Sequence, residues 1–235
     1  PPIYNVTEQA GFDKSDSELL ADMKFDNDIS DEDYSQKLTL RNGEFNYALR
    51  DDEDKITDGI YYTGGQAFAE YTLELDNSIA LTAADYDEKL IGKTLTIMGN
   101  EFTIVEVEDS SDDLSKLVLI GGSNKISLGE GESTSVSVDG KTYDISIQSV
   151  ADDKVLLTVN GISKSIDEFD TEDIAGVTIA VTDLVSSSRD SVKGYSEIVV
   201  GGQKVSLEEG DIKVNDEALE DTYPEYEIDV AFSGK

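Results

Sequence analysis

The sequence predicts an all-β protein: tandem antiparallel β-sandwich (Ig-like) domains with one short N-terminal helix. Two observations predict it. Apolar residues alternate with polar ones over most of the chain, which is the signature of strands buried on one face. The alternating runs are also punctuated by dipeptides that favour tight β turns.

Four hairpins follow from that pattern. Leu38–Leu40 leads through Asn42-Gly43 to Phe45–Leu49. Leu95–Ile97 leads through Gly99-Asn100 to Phe102–Val107. Val136 and Val138 lead through Asp139-Gly140 to Tyr143, Ile145 and Ile147, with Ser137, Thr142, Asp144, Ser146 and Gln148 as the polar alternates. Val155–Val159 leads through Asn160-Gly161 to Ile162–Ile166. Residues 67–75 (AFAEYTLEL) alternate strictly and read as one more strand. The helix is expected at Ser15–Met23, where a serine cap and early acids precede Leu19, Leu20 and Met23. Short helical turns are expected near 82–89 and 167–173.

Composition excludes several function classes. The 235 residues carry 52 acids against 18 basic side chains, a formal charge of −34, and no His, Cys or Trp. Nucleic-acid binding needs basic patches, and only Arg41, Arg50 and Arg189 supply guanidinium groups. An anionic membrane surface repels such a chain. Histidine- and cysteine-based catalysis and the usual zinc sites lack their ligands. No organic cofactor is expected, because no glycine-rich phosphate loop of known pattern is present. Disorder is rejected for most of the length: 38% of residues are hydrophobic, and the 11 Tyr and 7 Phe are spread among the alternating runs. No apolar run approaches the roughly 18 residues needed to cross a bilayer as a helix. The chain opens Pro1-Pro2 rather than Met, which reads as a mature secreted chain or as a piece cut at some other boundary.

The organisation expected is an acidic N-terminal region, 1–90, holding a hairpin and the short helix and forming part of the first sandwich, then one sandwich over 91–166 and a second over 167–235. An internal echo supports two units. Residues 121–131 read GGSNKISLGEG and residues 201–210 read GGQKVSLEEG, each after an apolar strand. The alternative is chance recurrence of glycine turns.

Leu90–Val107 (LIGKTLTIMGNEFTIVEV) resembles a recurring segment of archaeal surface-layer (S-layer) proteins. The sequel is similar too: KLVLIGG at 116–122, the acidic loop after Ser127, the DGKTYDI hairpin at 139–145 and the VNG turn at 159–161. The resemblance spans about residues 90–210. It implies a secreted, self-assembling cell-envelope subunit of β-sandwich domains at the cell surface, without catalysis, held in a lattice, filament or tube of identical copies. Cations and attached glycans are common in that family. A secreted adhesin or glycan- or protein-binding module is the second reading. A glycoside hydrolase using only carboxylates is the third; it lacks Trp platforms, and carboxylate pairs carry no signal in a chain with 52 acids.

Candidate sites are few. Asp26 and Asp28 open a D-x-D-x-S run, but Asp31 and Lys37 occupy the positions where a calcium loop needs Gly and Glu. Asp51, Asp52, Asp54 and Asp58 form a second cluster, and Asp109, Asp112 and Asp113 a third. Each is either an irregular site for calcium or another divalent cation, or a solvated acidic loop. Charge on this scale makes divalent cations an expected aid to assembly. Asn5-Val6-Thr7 is a glycosylation sequon. Ile3, Tyr4 and Val6 at one end, and Ile228, Val230 and Phe232 at the other, are apolar and extended; they pair either with a neighbouring subunit or within their own domain.

Overall fold

The computed structural model describes residues 2–6, 10–26, 31–40, 43–52, 55–63, 69–76, 89–110, 113–187, 193–222 and 229–232. Its strands in chain order are β1 (Pro2–Val6), β2 (Ala10–Phe12), β3 (Met23–Asp26), β4 (Asp31–Leu40), β5 (Gly43–Asp52), β6 (Lys55–Thr63), β7 (Ala69–Leu75), β8 (Thr94–Ile97), β9 (Asn100–Ser110) and β10 (Asp113–Gly121). There follow β11 (Asn124–Gly129), β12 (Ser133–Val138), β13 (Lys141–Val150), β14 (Lys154–Val159), β15 (Ile162–Asp167), β16 (Thr171–Ile174) and β17 (Val177–Val185). The last are β18 (Tyr195–Gly201), β19 (Gln203–Glu208), β20 (Asp211–Val214) and β21 (Glu217–Ala218), before a one-turn helix α1 (Leu219–Thr222). The all-β expectation holds, and the paired strands run antiparallel. Among the described residues no helix is long and apolar enough to cross a membrane.

The chain divides into two compact units. The first comprises Pro1–Lys24, Asp33–Asn77 and Ile97–Gly99. It holds the sheet β1-β5-β6 and strands of a second sheet, β2-β4-β3, in which β7 also pairs with β4. Of the strand read over 67–75, residues 69–75 are present as β7, with exposure that alternates residue by residue; Ala67 and Phe68 lie outside the described residues. The hairpin read across Asn42-Gly43 is not formed. Both its strands exist, but β5 pairs with β1 and β6 while β4 pairs with β7 and β2. A turn dipeptide fixes local geometry but not the partner. The expected helix at 15–23 is reduced to one 3-10 turn, Glu18–Leu20, whose Ser17 hydroxyl accepts from Leu19 N, and the chain is extended again from Met23. One turn of helix lacks the length to sustain itself, and Met23 is drawn into a strand. The turn expected at 167–173 ends in β16; the one at 82–89 lies outside the described residues save for Lys89.

Gln36 on β4 organises this unit. It is 2% exposed. Its Nε2 donates to Ala21 O (2.8 Å), and its Oε1 accepts from Tyr71 Oη (2.7 Å) and Met98 N (2.9 Å). A buried amide with both ends satisfied costs little and fixes what it touches.

The second unit comprises Phe25–Glu32, Ser78–Thr96 and Asn100–Lys235. Its sheets stack in three layers. The middle sheet, β11-β18-β17-β16, faces the sheet β12-β13-β14-β15 on one side. Val136, Tyr143, Ile145, Leu157, Ile179 and Ile198 are among the buried residues between them. On its other side Ala180 and Val199 meet Val105, Val118 and Ile120 of the six-stranded sheet β21-β20-β19-β10-β9-β8. Residues 177–182 of β17 are therefore all buried, as a strand covered on both faces must be. Each fully buried Val, Leu or Ile contributes roughly 1.5–3 kcal/mol, so this double burial anchors the unit.

The sequence echo acquires a different meaning here. Lys116–Gly121 pairs with Glu208–Gln203 in the six-stranded sheet, and Asn124–Gly129 pairs with Val200–Tyr195 in the middle sheet. The register is unbroken, since Gly121 lies opposite Gln203 and Asn124, three residues on, lies opposite Val200. One antiparallel ribbon runs through both sheets and bends at Gly121-Gly122 and Gly201-Gly202. Strands that switch sheets make the corners of packed β structures. The strand of each echo copy thus pairs with the strand that precedes the other copy, and the copies themselves meet only at Gly121 and Gln203. Strands from either side of residue 166 share both sheets, so the expected division into 91–166 and 167–235 has no counterpart in the sheet order.

Three of the four expected hairpins form. Asp139-Gly140 and Asn160-Gly161 both have the positive φ pairs of tight turns, 49° and 76°, 48° and 84°. The third turn sits one residue earlier than expected, at Met98 (φ 48°) and Gly99 (φ 77°).

Candidate functional site

One region of the six-stranded sheet, on the face that carries Val118, gathers charge from four strands. Lys116 on β10 lies opposite Glu108 of β9 and Glu208 of β19. Val118 lies opposite Glu106 and Ser206. Lys213 of β20 lies opposite Ser206. Antiparallel register puts all these side chains on one face. Lys116 Nζ is 2.5 Å from Glu106 Oε1 and 2.7 Å from Glu108 Oε1. Lys213 Nζ is 2.8 Å from Glu208 Oε2 and 3.7 Å from Asp211 Oδ2. Lys204 Nζ is 2.7 Å from Asp216 Oδ1 and 3.4 Å from Thr171 Oγ1. Ser206 Oγ donates to Glu208 Oε1 at 3.1 Å.

The pairing shifts the protonation equilibria outward. Burial pulls the Lys116 ammonium down, but its bonds to Glu106 and Glu108 outweigh that and raise its pKa. Its hydrogen bond to Glu108 lowers that carboxyl, and the Lys213 hydrogen bond lowers Glu208. These groups stay charged across the neutral range. A lysine held this way is not a base or nucleophile, because both roles need the free amine. The hollow they line has a volume of about 120 Å³, well under the several hundred typical of small-molecule sites. The arrangement is a charge-paired clasp that ties β9, β10, β19 and β20 together.

A second surface has the opposite character. The outward face of β12-β13-β14-β15 is built mainly from hydroxyl side chains. Ser146 lies opposite Ser133 and Thr158, and Thr158 lies opposite Ser163. Leu156 lies between Ser149 and Ser165. At the β13 bulge Gln148 turns outward, and its Nε2 donates to Thr158 Oγ1 (2.6 Å) and Ser163 Oγ (3.2 Å). Asp144 is held by the Ser135 hydroxyl at 2.6 Å, and Asp167 lies opposite Lys154.

The sequence-predicted residues are scattered. Asp26 ends β3 and is exposed. Asp51 and Asp52 close β5, opposite Ile56 and Lys55, and Asp58 on β6 lies opposite Leu49. Asp109 lies in β9 opposite Leu114, and Asp113 opens β10 opposite Ser110. Asp28, Asp54 and Asp112 lie outside the described residues. Among the described residues no three acids are grouped to hold a metal ion. Asn5 lies in β1 opposite Glu44. Tyr4 and Val6 lie opposite Phe45 and Gly43 of the same chain, so β1 takes a partner internally and lies at the end of the order β1-β5-β6; Ile3 falls at the irregularity in that pairing. At the other end, residues 229–232 are not in a strand; Val230 O accepts from Gly210 N, Phe232 is half-buried, and Ile228 lies outside the described residues. The charge-paired clasp was missed because its members lie on four separate strands. The hydroxyl face was visible as the polar alternates of 133–149, without their neighbours on β14 and β15.

No protein-family model, curated protein or solved structure matches this chain.

Proposed function

We propose that this protein is a structural, non-catalytic subunit of an extracellular surface layer that assembles with copies of itself into a sheet, filament or tube. The observation that carries the reading is the coincidence of two spans. The residues resembling archaeal surface-layer proteins, 90–210, are those that build the three-layer stack and its ribbon. A stack tied by a two-strand ribbon suits a subunit that bears load. Its face-to-face pair of four-stranded sheets is read as an Ig-like sandwich. The paired ammonium groups and small hollow of the six-stranded sheet favour a structural role over a chemical one.

The charge of −34 sets the condition for assembly. Copies repel one another until counterions gather between them, so calcium or another divalent cation promotes assembly. Glycan at Asn5 fits the same reading. Electron microscopy of the purified protein, with calcium and with chelator, tests it. Ordered sheets, tubes or filaments that dissolve on chelation are expected. Dispersed monomers under every condition would favour a secreted binding module instead.

A further inference from the structure

We propose that the outward face of the sheet β12-β13-β14-β15 is a contact through which two copies of this chain meet. The proposal rests on the self-assembly reading and names the surface that serves it. The argument is electrostatic. Residues 13–33 hold nine acids and two lysines. The β12–β15 face sets two acids, Asp144 and Asp167, against Lys154. Of these, Asp144 is capped by Ser135 and Asp167 lies across from Lys154. Like charges brought together oppose association, so copies of a −34 chain meet with least repulsion where charge is thinnest.

The face also suits contact with its own kind. Hydroxyls both donate and accept, so a serine or threonine array can hydrogen-bond to an identical array under two-fold symmetry. The bonds among Gln148, Thr158 and Ser163 hold these side chains in place before contact, and Leu156 gives the centre an apolar point. Four strands of six residues cover about 19 by 20 Å. That is about half the area per partner of a standard stable interface. One such contact is weak, as befits a repeated contact whose strength comes from multiplicity.

The test places charge on the face. The variant Ser149→Glu/Ser165→Glu alters two exposed positions; Thr72→Glu/Gln203→Glu adds equal charge at exposed positions elsewhere. Circular dichroism checks that both retain wild-type folding. Sedimentation velocity and light scattering with calcium then follow self-association. The face variant is expected to need about tenfold more protein, or greater, to associate, while the control behaves as wild type. Equal association of the face variant and wild type overturns this inference and leaves the assembly reading standing. A wild-type protein that stays monomeric throughout overturns both, and its retention on an uncharged polysaccharide matrix would give the face to a glycan instead.

Discussion

A Cβ on Gly201 would lie 2.1 Å from Ile120 Cγ2 and 3.2 Å from the carbonyl oxygen of Gly121. Ile120 is fully buried and cannot retreat. The ribbon that passes from the six-stranded to the middle sheet therefore bends only because position 201 has no side chain. Neighbouring Gly202 is also confined, with a Cβ falling 2.1 Å from Asp139 Oδ2, but that carboxylate can swing aside.

Gly201→Ala is expected to lower stability by about 3 kcal/mol, as overpacking in a rigid core does. The backbone at this position is not left-handed, so the loss is steric alone. Ile120→Ala removes the obstructing methyl while opening a cavity. The double variant should then be more stable than the sum of the two single losses. Gly140→Ala serves as control. Its φ is 76° and nothing lies within 4 Å of the added Cβ, so it loses about 1–2 kcal/mol to strain without coupling to Ile120. Chemical denaturation of the set measures this, and strict additivity at 120 and 201 would refute the steric account.

The same corner shows what a sequence can and cannot convey. Alternation revealed β12, β13 and β14, since Val136, Ile145 and Val155 face the core at period two. Asp139-Gly140 and Asn160-Gly161 were legible because few dipeptides tolerate two positive φ values. The turn at Ala175-Gly176 was not, as alanine is a poor turn former, yet its φ is 55°. Partner choice was the larger blind spot. Residues 121–131 and 201–210 looked like copies in separate modules, but the strand of each pairs with the strand before the other in one ribbon, because strand propensity does not encode which strand lies alongside. The Lys116 clasp was hidden for the same reason: its carboxylates come from β9, and its neighbours from β19 and β20.

Lys116→Met is expected to cost about 1–3 kcal/mol near neutrality, because Glu106, mostly shielded from solvent, would lose its counter-charge. The pH dependence follows from the directions of the shifts. The Glu108 carboxyl is lowered, so its contribution is present above its ordinary value of 4.5 and fades as pH falls through the lowered value. Lys116 is raised, so its contribution is present below its ordinary 10.5 and fades as pH rises beyond it. The stability gap between wild type and variant should be a plateau between those limits, narrowing on both sides. Urea melts across pH would show it; a gap that kept widening in acid would contradict the pairing.

Tyr71→Phe removes the hydroxyl that donates to Gln36 and should lower stability by about 1 kcal/mol at pH 8. Gln36 Oε1 keeps its bond from Met98 N, which limits the loss. Burial, with a smaller effect from Tyr34, pushes the Tyr71 phenol up from 10.0 to about 12. A phenol whose folded pKa exceeds its unfolded one supplies stability below the unfolded value and withdraws it as pH climbs through the folded one. Wild type should therefore lose stability between pH 10 and 12 in a way the variant does not, and the two should converge. Denaturant titrations in that window, with tyrosinate absorbance as the titration readout, decide it.

Ala175→Gly should stabilise the protein. Ala175 occupies the left-handed region at φ 55° in the tight turn that joins β16 to β17. An L side chain there costs about 1 kcal/mol or slightly more, and glycine avoids it. The added freedom of glycine in the unfolded chain offsets part of the gain, so the net expected is a few tenths to about 1 kcal/mol. Asparagine tolerates the same region, and Ala175→Asn should gain in the same direction. Thermal unfolding of both variants measures the effect. Unchanged or lowered melting temperatures would mean that neighbours of the turn, rather than the turn dipeptide, hold β17 in register.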